Sequence, residues 1–190
     1  RLPSRPYKVE ARRLQSSLEM IAADGFITAG GASWRMAPDK AWLRIGGLTM
    51  IEHVIAAIRQ VTPSVSIIAN RTEYQRLGLP VFADENIGIG PLEAIRVALA
   101  NANAARVVVV GCDMPFVTPE LFKLLLRYSD KHHAVVPLDA NGRLEPLCAV
   151  YSLEMLSTVT QLIAAGSRKL SVLFEQISTR YVGFDQLGHL

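Results

Sequence analysis

The segment from Thr28 to Lys40 combines small residues with two cationic side chains. Gly30 and Gly31 leave the backbone N–H groups open to close approach by an anion, because neither residue carries a side chain. Arg35 and Lys40 are five positions apart and can place positive charge over phosphate oxygens. The pattern matches neither the Walker phosphate loop nor the dinucleotide-binding fingerprint. It predicts a phosphate-binding loop of another kind, and the alternative is an ordinary glycine turn with two solvated cations.

A single acid follows the most apolar run of the chain. The run Arg106–Val110 shows no polar alternation, so it predicts a central strand buried on both faces. Asp113 comes just after it, where open α/β sheets bind their ligands. Mg²⁺ is usually held by one or two protein carboxylates together with substrate phosphates. Asp113 is therefore a candidate Mg²⁺ ligand, and the alternative is a side chain that only caps the turn before Pro115.

Two further strand ends carry polar side chains. Asp84 follows the short apolar run Val81–Phe82, and Asn70 follows the run Val65–Ala69. Side chains of these types bind nucleotides at strand ends, but they also form ordinary turns. Both residues are candidates for a nucleotide site, with turn formation as the alternative.

Short apolar runs alternate with segments of helical periodicity from about residue 20 onward. This alternation predicts an α/β fold, with helices covering both faces of a mostly parallel sheet. The predicted strands are Gly25–Thr28, Val65–Ala69, Val81–Phe82, Arg106–Val110, Ala134–Pro137 and Leu147–Tyr151. The predicted helices are Thr49–Gln60, one beginning at Pro91, one beginning at Pro119 after the N-cap Thr118, Ser152–Ala165 capped by Gly166, and Arg168–Gln176.

The bulk composition narrows the class of protein. A chain of 190 residues has the size of one domain, which we place at residues 20–190 after a flexible N-terminal extension, residues 1–19. No apolar run approaches the roughly 20 residues of a membrane-spanning helix, and a net charge of +3 does not indicate a nucleic-acid surface. Cys112 and Cys148 lack metal-site or redox spacing, which predicts reduced core thiols. We expect a cytoplasmic protein that binds neither membranes nor nucleic acid.

Taken together, the motifs resemble those of the molybdenum cofactor guanylyltransferases over about residues 25–175. The similar motifs are A-G-G-x-S-x-R-M-x-x-D-K, I-E, A-N-R, D-E, G-P-L and V-G-C-D-M-P. The resemblance implies a three-layer Rossmann-like nucleotidyltransferase fold. It also implies an enzyme that transfers GMP from GTP to the terminal phosphate of molybdopterin, with Mg²⁺ as cofactor and transient contact with molybdoenzyme maturation proteins. The triplet Ala29-Gly30-Gly31 favours the guanylyl over the cytidylyl branch.

The resemblance also implies roles for individual residues. Backbone groups of the first loop line the nucleotide, cations contact its phosphates, and acids hold nucleotide and metal. The backbone groups are those of Thr28, Ala29, Gly30 and Gly31, and the cations are Arg35 and Lys40. Of the acids, Asp84 lies in the nucleotide site with Asn70, and Asp113 holds both the nucleotide and Mg²⁺. Roles for Glu145, Arg168 and Lys169 stay open. The alternatives are cytidylyl or other nucleotidyl transfer to a phosphorylated acceptor, and a catalytically silent nucleotide-binding module.

Overall fold

The computed structural model describes residues 22–29, 39–86 and 88–187, and nine strands lie within those ranges. Seven of them form one sheet in the order β5-β4-β1-β6-β8-β7-β9, and β2 and β3 form a separate small hairpin. Within the large sheet only β8 runs antiparallel to its neighbours. The strands are β1 (Ala23–Thr28), β2 (Arg44–Ile45), β3 (Leu48–Thr49), β4 (Ser64–Ile68), β5 (Val81–Phe82), β6 (Arg106–Gly111), β7 (Ala134–Pro137), β8 (Cys148–Ser152) and β9 (Thr179–Val182). The predicted mostly parallel sheet is confirmed.

Helices cover both faces of this sheet. The described α-helices are α1 (Met50–Ile58), α2 (Pro91–Ala100), α3 (Pro119–Tyr128), α4 (Leu156–Ala164), α5 (Leu170–Gln176) and α6 (Phe184–Leu187). Buried residues of α1 and α3 form one hydrophobic core cluster, and those of α2, α4 and α5 form a second. The sheet separates the two clusters, so the expected three-layer fold is confirmed.

Strand β6 contributes to both clusters because its side chains alternate between the two faces of the sheet. Val108 and Val110 pack into the cluster of α1 and α3, whereas Val107 and Val109 pack into the other. All four side chains are fully buried. Full burial of such a side chain contributes about 1.5–3 kcal/mol, so this strand anchors the fold and holds its carboxyl end in place.

The predicted helix ends are largely confirmed. Helix α1 begins after Thr49, whose backbone N–H and hydroxyl both donate to the Glu52 carboxylate at 2.7 Å. Helix α3 begins after Thr118, whose hydroxyl accepts from the Leu121 N–H at 3.3 Å. Gly166 closes α4 with a φ of 80°, a left-handed conformation that favours glycine.

Several sequence predictions differ from the structure in their bounds; β1 begins at Ala23 rather than Gly25, for example, and β4 covers Ser64–Ile68 rather than Val65–Ala69. The predicted helix over Ser152–Ala165 is divided, because Leu153–Met155 form a 3₁₀ turn before α4 begins. The last predicted helix begins at Leu170 rather than Arg168, and Leu147 lies outside β8. Strand β9 and the β2–β3 hairpin were not predicted. Within the part of the chain that the structure describes, no helix is long and apolar enough to cross a membrane.

Candidate active site

The carboxyl ends of four neighbouring parallel strands form the edge of the sheet where the candidate site lies. The register aligns Thr28 of β1 with Ile68 of β4 and with Gly111 of β6, and it aligns Ile68 with Phe82 of β5. The residues that follow these positions therefore leave the sheet side by side. Five residues expected in the site from the sequence are brought to this edge: Thr28, Ala29, Asn70, Asp84 and Asp113.

Asp113 presents its carboxylate to solvent just beyond the central strand. A Cβ atom at Gly111 would lie 2.8 Å from Asp113 Oδ1, so the side chain folds back over that glycine. The turn itself is closed by the Met114 N–H, which donates to the Gly111 carbonyl at 3.3 Å. Among the described residues, no hydrogen bond or ion pair engages the Asp113 carboxylate. The turn-capping alternative is therefore not supported, and the carboxylate is available to a ligand.

A second acid, Glu145, to which sequence reasoning assigned no role, lies close enough to Asp113 for the two charges to interact. Strand β8 is antiparallel to β6 and pairs Cys148 with Val110. This pairing ends at Val110 and Cys148, and the Cys148 N–H donates to the Glu145 carbonyl at 3.0 Å in the turn that leads into β8. The Gly111 N–H donates to the Leu147 carbonyl at 2.7 Å, which joins the end of β6 to the residue before β8. Burial raises the pKa of Glu145, and the negative charges of Asp139 and Asp113 raise it further.

An exposed carboxylate such as that of Asp113 suits a hard divalent cation. Mg²⁺ prefers oxygen ligands and takes only one or two of them from protein carboxylates, because substrate phosphates and water complete its octahedron. No group of three or more His, Cys, Asp or Glu side chains in the described ranges could hold a metal alone. A site that relies on nucleotide phosphates for its remaining ligands agrees with this arrangement.

Asp84 and Asn70 lie together at the ends of β5 and β4. The Asp84 N–H donates to Asn70 Oδ1 at 2.8 Å, which joins the two strand ends. Asp84 Oδ1 is buried and has no hydrogen-bond partner among the described residues. Burial raises the pKa of Asp84, and the negative charge of Glu93 adds to that effect. A buried acceptor without a donor is costly, so this oxygen is suited to a donor supplied by a ligand.

A buried ion pair supports the segment that carries Asp84. Glu93 of α2 is fully buried and accepts two hydrogen bonds from Arg96, at 2.7 and 2.8 Å. The Asn86 side-chain amide donates to Glu93 at 2.9 Å, and Arg96 also donates to Glu85 at 2.8 Å. These bonds tie the segment after β5 to the first turn of α2. Apart from the i,i+3 pair of Glu93 and Arg96, periodicity could not reveal these bonds, because they join two segments of the chain.

Lys40 is exposed and begins a 3₁₀ helix, Lys40–Trp42, whose N-cap is Asp39. In the described ranges no ion pair engages its ammonium group, so its charge is available to an anion. The expected phosphate-loop residues Gly30, Gly31 and Arg35 lie outside the described residues.

The two cysteines are confirmed as buried residues. Burial raises the pKa of the Cys148 thiol to about 12, and the charge of Glu145 contributes to the rise. The thiol therefore stays protonated near neutral pH, as expected of a core residue.

Comparison with known proteins identifies the family. The sequence pattern of the MobA-like NTP transferase domain matches residues 25–180. A probable molybdenum cofactor guanylyltransferase of Pelotomaculum thermopropionicum is 36% identical over 172 residues, covering 90% of this chain and 83% of that protein. A protein of the same name from Carboxydothermus hydrogenoformans is 32% identical over 161 residues, covering 85% and 81%.

A solved structure shows the same fold. The molybdopterin-guanine dinucleotide biosynthesis protein A of Archaeoglobus fulgidus superposes with a TM-score of 0.70 at 24% identity, covering 86% of this chain and 85% of that chain. The strand-end acids, the family pattern and the relatives' identity all lead to one conclusion. The chain belongs to the MobA-like NTP transferase family, and it is a nucleotidyltransferase of the molybdenum cofactor guanylyltransferase type.

Proposed function

We propose that this chain transfers the GMP group of GTP to the terminal phosphate of molybdopterin, which forms molybdopterin guanine dinucleotide and releases pyrophosphate. The observation that carries the proposal is the exposed Asp113 carboxylate at the end of β6, which engages none of the described residues, in a chain whose curated relatives are named guanylyltransferases. Transient contact with molybdoenzyme maturation proteins and a cytoplasmic location stay predictions.

The nucleotide lies along the edge formed by β1, β4 and β5. Backbone groups of Thr28 and Ala29 line it together with Gly30 and Gly31, which lack side chains and allow close approach. The buried Asp84 Oδ1 accepts from an N–H or O–H of the nucleoside, which supplies the donor that this oxygen lacks. The Asn70 side chain holds the backbone of Asp84 in place for that contact.

The phosphates lie toward Lys40, Arg35 and Asp113. Lys40 and Arg35 donate charge-assisted hydrogen bonds to phosphate oxygens and offset the charge of the triphosphate. Asp113 would hold Mg²⁺, and Glu145 lies close enough for the charge of Asp113 to raise its pKa. When bound, the ion neutralises charge on the phosphates and orients them for in-line displacement.

The reaction needs no nucleophile from the protein. An oxygen of the acceptor phosphate attacks the α-phosphorus of GTP and forms a new P–O bond. The bond from the α-phosphorus to the bridging oxygen of the β-phosphate breaks, and pyrophosphate leaves with that electron pair. A phosphate monoester is largely dianionic near neutral pH, because its second pKa is about 6, so a general base is not required. The chain contributes alignment of two anionic reactants and neutralisation of their charge.

A panel of nucleoside triphosphates tests the proposal. Pyrophosphate release is measured with GTP, CTP, UTP or ATP in the presence of Mg²⁺, before and after molybdopterin is added. We expect kcat/KM for GTP to exceed that for CTP and ATP by about 10²-fold or more, because a mismatched base leaves buried polar groups unpaired. A CTP rate equal to the GTP rate would replace this function with cytidylyl transfer. Tight binding without turnover of any nucleotide would favour the silent binding module.

A further inference from the structure

A cluster of three polar side chains lies directly beside Lys40, and the proposed function assigns it no role. Asp39 Oδ2 accepts a hydrogen bond from the Tyr74 hydroxyl at 2.6 Å and one from Arg71 Nη1 at 3.2 Å. The Asp39 side chain is only 8% exposed and Tyr74 is fully buried. We call Asp39, Arg71 and Tyr74 the Asp39 cluster. Its buried hydrogen bonds are costly to break, so they fix the position of Asp39 firmly.

The Asp39 cluster fixes the backbone of Lys40 from both sides. Asp39 Oδ1 accepts from the Ala41 N–H at 3.1 Å, and the Asp39 carbonyl accepts from the Trp42 N–H at 3.1 Å. The Lys40 carbonyl accepts from the Leu43 N–H at 3.0 Å. Ala41, next in the chain, is fully buried and cannot shift without opening the core. Only the Lys40 side chain stays free to reach outward.

The same cluster ties Lys40 to the strand that presents Asn70. Arg71 follows Asn70 and spans Asp39 and Glu73, the latter at 3.0 Å. Glu73 also accepts from the Trp42 indole N–H at 2.9 Å. The Trp42 ring stacks on Tyr74 with a centroid distance of 5.2 Å. The start of the Lys40 turn and the end of β4 are therefore one rigid unit.

Charge is distributed unevenly in this unit. The Arg71 guanidinium is engaged by two carboxylates, whereas no described carboxylate engages Lys40. The cluster thus uses Arg71 as a structural cation and leaves the Lys40 ammonium as the cation that faces a ligand. Trp42, two residues after Lys40, is engaged in packing through Tyr74 and Arg76.

We propose that Asp39 and Tyr74 are positioning residues, which hold the Lys40 ammonium at a fixed distance from the nucleoside-binding end of β4 so that it meets the triphosphate. This inference rests on the proposed phosphate role of Lys40. Neither Asp39 nor Tyr74 touches the substrate. Their effect acts through Lys40 and concerns phosphate contacts rather than the nucleoside.

A double-mutant cycle on Mg²⁺-GTP binding tests the inference, with calorimetry as the readout. Tyr74→Phe keeps the ring and removes only the hydroxyl that donates to Asp39. We expect it to weaken GTP binding by about fivefold to tenfold and to leave guanosine binding within about twofold. The loss is smaller than that of one direct hydrogen bond to a charged group, because it reaches the phosphates only through Lys40. In a Lys40→Ala background the same change should have no further effect, because its target is gone. Asp39→Asn should give the same pattern and serves as the second variant.

Asp24 provides a matched control near the amino end of β1, away from the candidate site. Its carboxylate is also buried, and it accepts from the Ser64 hydroxyl and from the N–H groups of Asn103 at 2.6 Å and Ala104 at 2.9 Å. Asp24→Asn should lower the melting temperature as Asp39→Asn does, yet leave GTP binding unchanged.

Each outcome of the cycle decides between separate claims. If Lys40→Ala weakens GTP binding but neither Tyr74→Phe nor Asp39→Asn does, the positioning role is wrong and the proposed function stands. If the Tyr74 and Lys40 effects simply add, or if Asp24→Asn weakens GTP binding equally, the cluster is only structural. If Lys40→Ala binds GTP as well as the native chain, the proposed phosphate site is itself wrong.

Discussion

Replacing Asp113 with asparagine should separate catalysis from stability. The carboxylate is exposed and engages none of the described residues, so the nearly isosteric amide removes no contact there. It also removes a negative charge that raises the pKa of Glu145 across the site. We therefore expect a change in unfolding free energy within about 0.5 kcal/mol, which corresponds to a melting temperature shift of about 2 °C or less.

Turnover should respond far more strongly than stability. The substitution removes the charge proposed to hold Mg²⁺ against the phosphates, and loss of one such stabilising group typically costs about 10²-fold to 10³-fold in kcat. The assay is pyrophosphate release over a Mg²⁺ titration. Binding of Mn²⁺ to the GTP complex, followed by electron paramagnetic resonance, gives a readout that does not depend on turnover.

The control for Asp113→Asn is Asp130→Asn, since Asp130 is also an exposed acid but precedes β7 at the other edge of the sheet. That variant should keep native turnover and Mn²⁺ binding. An Asp113→Asn enzyme with the native rate at limiting Mg²⁺ would refute the metal assignment. A large loss of stability would instead show that the carboxylate has a structural role.

Three further predictions concern the scaffold and are measured by urea unfolding. Burial acts to raise the pKa of Asp24, but its hydrogen bonds lower it below the ordinary 3.8. The ionised Asp24 therefore adds its full contribution to the free energy of unfolding above pH 3.8, and this contribution is lost as the pH falls below that value. Asp24→Asn should therefore destabilise the protein by about 1–3 kcal/mol at pH 7 and by less at pH 3, and an equal loss at both would contradict this. Glu93→Gln should cost about 2–4 kcal/mol, because it leaves the guanidinium it binds without its buried partner, and a neutral result would show that the pair is dispensable. A Cβ at Gly25 would lie 2.7 Å from Ile58 Cδ1, so Gly25→Ala should cost about 1–3 kcal/mol, whereas Gly47→Ala, with open space around it, should be nearly neutral.

The buried strands and capped helices could be predicted because local sequence leaves few alternatives for them. The four consecutive valines of β6 can all be buried only if both faces of the sheet are covered by helices. Strand β9 was not predicted because it is the outermost strand of the sheet. Its residues Thr179, Arg180 and Tyr181 are partly exposed and show no apolar alternation. The antiparallel direction of β8 could not be predicted from the sequence either, because all five of its residues are buried and an apolar run looks the same in either direction.

For the site, positions at strand ends could be predicted but contacts between distant segments could not. Asp84 and Asp113 follow apolar strands, and parallel pairing alone brings such residues to one edge. The bond from Tyr74 to Asp39 joins residues that are 35 positions apart, and no periodicity encodes it. Glu145 comes near Asp113 only because β8 pairs antiparallel with β6, and sequence patterns do not specify that pairing.

The reversed direction of β8 has a consequence for how such enzymes can diverge. Because β8 runs against β6, the residues that precede β8 are the ones that reach the site edge, and they come from the hairpin after β7. That hairpin is closed by its own bonds, with the Asp139 carboxylate accepting from the N–H groups of Asn141 and Arg143, both at 2.8 Å. Surface hairpins tolerate changes in length and sequence. Changes in this one hairpin can therefore alter the groups near Asp113, while the ends of β1, β4 and β5, which come from earlier in the chain, stay as they are.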